Sequence, residues 1–132
     1  MKKIAAKILV IVMACFMLAS CGKVTLETMF NTKAGQQQIQ DTKDQMLSAY
    51  AGYYSDFDMI AEGNSLTYNY YLAPEMDELV DTLKETLPTS ADWDSEIEKV
   101  KNDIESSSKI RPEAITYAYY ASNGDLIWSI TK

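Results

Sequence analysis

The stretch Ala114-Ile115-Thr116-Tyr117-Ala118-Tyr119-Tyr120-Ala121-Ser122-Asn123-Gly124-Asp125-Leu126-Ile127-Trp128-Ser129-Ile130 decides the fold class. Ile115, Tyr117 and Tyr119 alternate with Thr116, Ala118 and Tyr120. A period of two sends successive side chains to opposite faces of a strand. Asn123-Gly124 is a preferred pair for a two-residue type I′ turn, and Leu126, Trp128 and Ile130 resume the alternation beyond it as the core face of a returning strand. The segment therefore predicts a β-hairpin. An earlier segment has the same form. Phe57, Met59 and Ala61 alternate with Asp58, Ile60 and Glu62, Gly63-Asn64 makes a turn, and Leu66, Tyr68, Tyr70 and Leu72 alternate with Thr67, Asn69 and Tyr71.

Helical spacing fills the remainder. Leu26, Met29 and Phe30 form a short apolar cluster ending near Asn31. A longer helix is expected from about Ala34 to Tyr53, with Ile39, Met46, Leu47, Tyr50 and Tyr53 or Tyr54 on one face and Gly52 as its stop. Between the hairpins, Pro74 opens a stripe of Met76, Leu79, Val80, Leu83 and Leu87. A second segment, capped by Thr89 or Ser90, carries Trp93, Ile97, Val100 and Ile104 and ends at Ser106-Ser107-Ser108 and Pro112. The order α-β-β-α(α)-β-β predicts an α+β fold: a four-stranded antiparallel sheet with helices packed on one face. The two halves share an order of elements, but no residue-level repeat is read in support of a duplication.

The first 25 residues follow other rules. Lys2, Lys3 and Lys7 precede an apolar run from Ile8 to Leu18, followed by Ala19-Ser20-Cys21. Basic, apolar and small-residue regions in that order make a secretory signal peptide. Leu18-Ala19-Ser20-Cys21 resembles the lipobox of bacterial lipoproteins. The resemblance implies a diacylglyceryl thioether on Cys21, removal of residues 1–20, a short tether over 21–25 and one extracytoplasmic domain over 26–132. A spanning helix is the competing reading, but the uncharged stretch between Lys7 and Lys23 is fifteen residues, against about 20 needed. Gly22, Lys23 and Val24 reach on the order of 10 Å when extended, so the domain is expected directly above the membrane.

Composition limits the chemistry. All 19 acidic residues follow Cys21, while three of the 12 basic ones precede it, which takes the formal charge from −7 to −10. A domain this acidic is unsuited to nucleic acid and is repelled by an anionic lipid surface, so attachment to the membrane is expected through the lipid on Cys21 alone. There is no histidine, and the two cysteines are Cys15, inside the signal, and Cys21. No thiol nucleophile, disulfide, Ser-His-Asp triad or His/Cys zinc site remains, and no cofactor or catalytic residue is expected.

The lipobox, the short Leu-Glu-x-Met/Phe helix before a Gln-rich helix, the hairpin Ala61-Glu62-Gly63-Asn64-Ser65-Leu66-Thr67-Tyr68 and the terminal Tyr117-x-Tyr119 hairpin with Asn123-Gly124-x-Leu126-Ile127 occur together. The combination resembles a family of small lipoproteins of Gram-positive, Firmicutes-type bacteria carrying a domain of unknown function. It implies fold and location and lends no activity.

Three groups of residues are candidate sites. Asp92, Asp94 and Glu96 open like a calcium loop, but Ile97 and Asp103 stand where glycine and glutamate are required. Glu75, Asp77, Glu78, Asp81 and Glu85 would serve a glycosidase only if two converged across a cleft; a solvated helix face explains them better. The third group is the sheet face opposite the core: Tyr71 and Tyr120 with Thr67, Asn69, Thr116, Ile127, Ser129 and Thr131. Tyrosine combines large area with a polar tip and is enriched at binding sites. The reading favoured is a non-enzymatic binding module, attached through lipid at the cell surface, whose partner is an extracytoplasmic protein or cell-wall component. A carboxylate-dependent cell-wall hydrolase and a small-ligand or calcium-binding lipoprotein are the alternatives. The outer strands also offer edges for pairing with a second copy.

Overall fold

A computed structural model describes residues 25–132 of the chain; Cys21 and the residues expected to form a signal peptide lie outside the described residues. Helix α1 (Leu26–Phe30) and helix α2 (Lys33–Ala49) precede the hairpin β1 (Tyr54–Glu62) and β2 (Ser65–Leu72). A 3₁₀ segment (Pro74–Leu79), helix α3 (Val80–Thr86), a second 3₁₀ turn (Leu87–Thr89) and helix α4 (Trp93–Ser108) then lead to β3 (Ala114–Tyr120) and β4 (Leu126–Thr131). The fold is α+β, with the order helix, strands, helix, strands.

The sheet order is β1-β2-β3-β4. Both hairpins are antiparallel, but β2 and β3 run parallel, from Ser65 opposite Ala114 to Tyr71 opposite Tyr120. The all-antiparallel expectation is therefore corrected to a mixed sheet. Parallel neighbours require a crossover connection, and α4 supplies it. Sixteen residues of helix rise about 24 Å, close to the length of an eight-residue strand at about 3.3 Å per residue. One traverse of α4 thus returns the chain to the end of the sheet where β2 began. The short α3, flanked by 3₁₀ turns, does not add a second traverse.

Turn chemistry sets both hairpins. Gly63 has φ +56° and Asn64 is not in the left-handed region, which suits a II′ turn with glycine first. The second hairpin departs from the expected I′ turn, because that turn needs positive φ at both central residues and Asn123 lacks it. Its loop is Ser122-Asn123-Gly124: Gly124 N–H donates to Ala121 O at 2.9 Å, Gly124 takes φ +92°, and Ala121 N–H closes on Asp125 O at 2.8 Å. This is the three-residue loop that ends in a left-handed glycine.

One sheet face packs against the helices. Tyr68, Tyr70, Tyr117 and Tyr119 are buried there with Leu66, Phe57, Met59 and Ile115. Helix α4 contributes Trp93, Ile97, Val100 and Ile104, all buried, each worth roughly 1.5–3 kcal/mol when fully removed from water. Trp93 lies within 5.8 Å of the Tyr117 ring and 4.9 Å of the Trp128 ring, while its Nε1–H donates to Leu87 O at 2.8 Å. Leu126, expected in this core, is 53% exposed, and Ile127, expected on the far face, is 8% exposed. A bulge explains the exchange: Tyr119 pairs with Trp128 and Tyr120 with Leu126, so Ile127 is an extra residue in β4.

Helices α1 and α2 meet at Gly35. A Cβ there would stand 2.3 Å from Met29 O and 2.6 Å from Phe30 Cα, both backbone atoms. Gly35→Ala improves helix propensity by about 1 kcal/mol, yet the clash cannot be relieved by a side-chain rotation. The variant is expected to be destabilised by roughly 1–3 kcal/mol and to melt about 4–8 °C lower per kcal/mol; a melting temperature equal to or above the parent's would refute the close approach.

Burial pushes the phenols of Tyr54, Tyr68, Tyr70, Tyr117 and Tyr119 above their ordinary value. Folding therefore favours their neutral form. The associated stability is fully present below about pH 10 and is lost as pH rises through the raised values. Ultraviolet titration of the nine tyrosines should show these five silent at about pH 11 while the fold persists, ionising together with alkaline unfolding. Smooth ionisation of all nine near pH 10 in a folded chain would contradict the core assignment.

Candidate functional site

The far face of the sheet is built in rows by the strand register. One row is Ile60, Thr67, Thr116 and Thr131; the next is Asp58, Asn69, Ala118 and Ser129; the third is Asp56, Tyr71 and Tyr120, meeting the bulged Leu126-Ile127. Thr67, Tyr71, Thr116 and Tyr120 are half-exposed, while Asp58, Ile60, Ser129 and Thr131 are exposed. Side chains on the two central strands thus reach solvent, as an uncovered face requires.

Tyr71 and Tyr120 stack, with ring centroids 5.0 Å apart and planes 17° apart. Adjacent parallel strands place the two residues at the same level, so the rings stand side by side above the sheet. Thr116 Oγ1 and Thr131 Oγ1 share a hydrogen bond of 2.8 Å in the first row. Between these taller side chains lie Asn69 and Ala118, at 6% and 3% exposure. The Asn69 Oδ1 is buried with no hydrogen-bond partner. An unmet buried acceptor costs roughly 1–3 kcal/mol, which makes it the most unusual polar group on this face.

Electrostatics around the tyrosines are negative. The Tyr71 phenol is raised, first by desolvation and then by the carboxylates of Asp58 and Asp56 and the neighbouring Tyr120. Asp56 itself is held low, chiefly by a hydrogen bond from Lys43 of α2, whose Nζ lies 2.8 Å away. Both edge strands bulge at this level: β1 between Tyr54 and Asp56, and β4 opposite Tyr119–Tyr120. Bulges raise local twist and re-aim side chains, so the Tyr71–Tyr120 row sits at the most distorted end of the sheet.

The other candidate groups do not converge. Glu75, Asp77, Glu78, Asp81 and Glu85 are all exposed along the 3₁₀ segment and α3. Asp77 is held low because Ser122 donates to it through both its hydroxyl and its backbone N–H. Asp92 caps α4 by accepting from Ser95 N–H at 3.2 Å, and Asp94 pairs with Lys132 at 2.8 Å. Among the described residues no three His, Cys, Asp or Glu side chains are grouped to hold a metal ion, and no helix is long and apolar enough to cross a membrane. An open cleft of about 270 Å³ lies beside the last hairpin turn, lined by Asp77, Val80, Lys84, Asn123, Asp125 and Leu126 among others. Sequence patterning did not reveal it, because Leu126 reads as core until the bulge is known.

Neither a curated protein nor a solved structure matches the chain. A family model does, over residues 26–131, from the first residue of α1 to the last of β4. The chain therefore belongs to the family defined by the domain of unknown function DUF4854.

Proposed function

We propose that this protein is an extracytoplasmic lipoprotein, of the Gram-positive type, anchored through Cys21 to the outer face of the cell membrane, and that its open sheet face binds a protein or cell-wall component without catalysis. The observation that carries the binding reading is the uncovered row of stacked Tyr71 and Tyr120 beside the unpaired Asn69 Oδ1.

The geometry of the chain entry supports it. The first backbone N–H of α1, at Leu26, donates to Asn64 Oδ1 at 3.0 Å, and Glu27 N–H donates to Gly63 O at 2.9 Å. Glu27 Oε1 in turn accepts from Gly63 N–H at 2.7 Å, and Glu113 N–H donates to Asn64 O at 2.8 Å. The β1–β2 turn is thus tied to the start of α1, within a few residues of Cys21. From Ser65 to Tyr71 β2 rises about 20 Å. An anchor at Cys21 leaves the Tyr71–Tyr120 row at the end of the sheet remote from the lipid.

Two measurements test the two halves of this reading. Cys21→Ser is expected to abolish incorporation of labelled fatty acid and to remove the chain from the membrane fraction; undiminished labelling would rule out this anchor. A photo-crosslinking residue at Tyr71 in the native host should give a discrete adduct, with none from Tyr68 in the core or from Glu85 on α3. The absence of an adduct at Tyr71, or the same adducts at Glu85, would refute the open-face reading.

A further inference from the structure

We propose that the corner of this face formed by Asp58, Asn69 and Tyr71 receives a lysine or arginine side chain of a peptide segment. The proposal rests on the open-face reading and adds the chemistry of the partner.

Each feature of this corner lacks the same thing. Asp58 is exposed and lies directly opposite Asn69 in the β1–β2 register. Lys43 makes its hydrogen bond to Asp56 and acts on Asp58 only through its field. Asn69 Oδ1 is an acceptor without a donor, on a residue only 6% exposed. That oxygen is buried as the side chain stands, so an outside donor reaches it only when the carboxamide turns outward. Tyr71 follows in the next row, half-exposed, with Tyr120 stacked on one ring face and its phenol within the field of Asp58 and Asp56. A carboxylate, an amide acceptor and a half-exposed aromatic ring are together matched by a donor-rich cation. Ammonium carries three N–H donors and guanidinium five, and either is attracted to an aromatic face. An anionic ligand would meet Asp56 and Asp58 at once.

A peptide fits the rest of the face. Thr67, Thr116, Ser129 and Thr131 extend from the corner across the outer rows; Thr116 and Thr131 share one hydrogen bond, and a hydroxyl can both donate and accept. Such groups can pair with the N–H and C=O of an extended chain laid across β2, β3 and β4. The strong negative charge of the whole chain, −7 by formal count, steers such a segment toward it.

The test uses the full chain in uncharged detergent, with a fluorescent hexalysine peptide as probe and hexaglutamate as its opposite. Hexalysine is expected to bind and hexaglutamate not. Asp58→Asn should weaken hexalysine binding about threefold, the scale of one exposed charge pair. Asn69→Leu, which removes the acceptor at similar volume, should weaken it comparably. Asp81→Asn on α3 removes the same charge elsewhere and should change it less than either. Equal losses for Asp58→Asn and Asp81→Asn would show attraction by net charge alone and overturn the proposal, as would binding of hexaglutamate. Should Asn69→Leu melt early, Asp58→Asn decides by itself, being isosteric and exposed. The crosslinking experiment separates the two levels. An adduct at Tyr71 on a segment without lysine or arginine removes the cation while the face stands; no adduct at Tyr71 removes both.

Discussion

The in-register pairing of β2 with β3 holds the molecule together. Leu66-Thr67-Tyr68-Asn69-Tyr70-Tyr71 lies beside Ile115-Thr116-Tyr117-Ala118-Tyr119-Tyr120, residue against residue. Only parallel strands at zero offset bring like positions together over such a length. Three tyrosine pairs result: Tyr68–Tyr117 at 5.1 Å, Tyr70–Tyr119 at 4.9 Å and Tyr71–Tyr120 at 5.0 Å, all within 17° of coplanar. Two pairs project into the core, where Trp93 and Trp128 close over them. The third projects outward and becomes the centre of the open face. A slip of one residue would exchange the faces of every side chain in the strand and separate all three stacks.

Much of this was legible in the chain. The alternation in residues 57–72 and 115–130 located all four strands, and the spacing of Trp93, Ile97, Val100 and Ile104 located α4 and its buried face. The parallel centre was not legible, because it depends on how many times the connection crosses the sheet. Two helical stripes between hairpins suggest two traverses and an antiparallel return. Pro74 and Pro88 instead fall at the first turns of 3₁₀ segments, which leaves α3 too short to make one. A signal was nonetheless present: Leu-Thr-Tyr-x-Tyr-Tyr and Ile-Thr-Tyr-x-Tyr-Tyr are a residue-level repeat, at odds with the reading that none exists. Set side by side, they announce the register. The five residues between Tyr120 and Leu126 also leave more chain than a two-residue turn needs.

On the candidate face, periodicity assigned Thr67, Asn69, Tyr71, Thr116, Tyr120 and Ser129 by parity, and their rows follow from the register. Parity failed at Ile127, since a bulge inserts one residue and shifts the count. It was also silent on depth. Asn69 and Tyr71 occupy the same face two residues apart, yet the first is nearly buried and the second half-exposed. The difference arises from neighbours: Asn69 lies between the tyrosine row and the threonine row, with only Ala118 beside it on β3. Shadowing of this kind is a property of four strands together and has no expression in one.

The unpaired Asn69 acceptor gains meaning from its partner position on β3. In the repeat, tyrosine answers tyrosine and threonine answers threonine at every outward position except this one, where Asn69 faces Ala118. Asparagine ladders on stacked strands normally satisfy one another, and a second asparagine at position 118 would supply the missing donor. Alanine cannot, and its neighbours leave it only 3% exposed. The break in the repeat therefore coincides with the buried acceptor that has no partner among the described residues of this face and with the row that carries Asp58. Stability alone would favour either a matched asparagine pair or two small residues. The mismatch therefore sets the Asn69–Ala118 row, with Asp58 at its edge, apart from the matched tyrosine and threonine rows on either side.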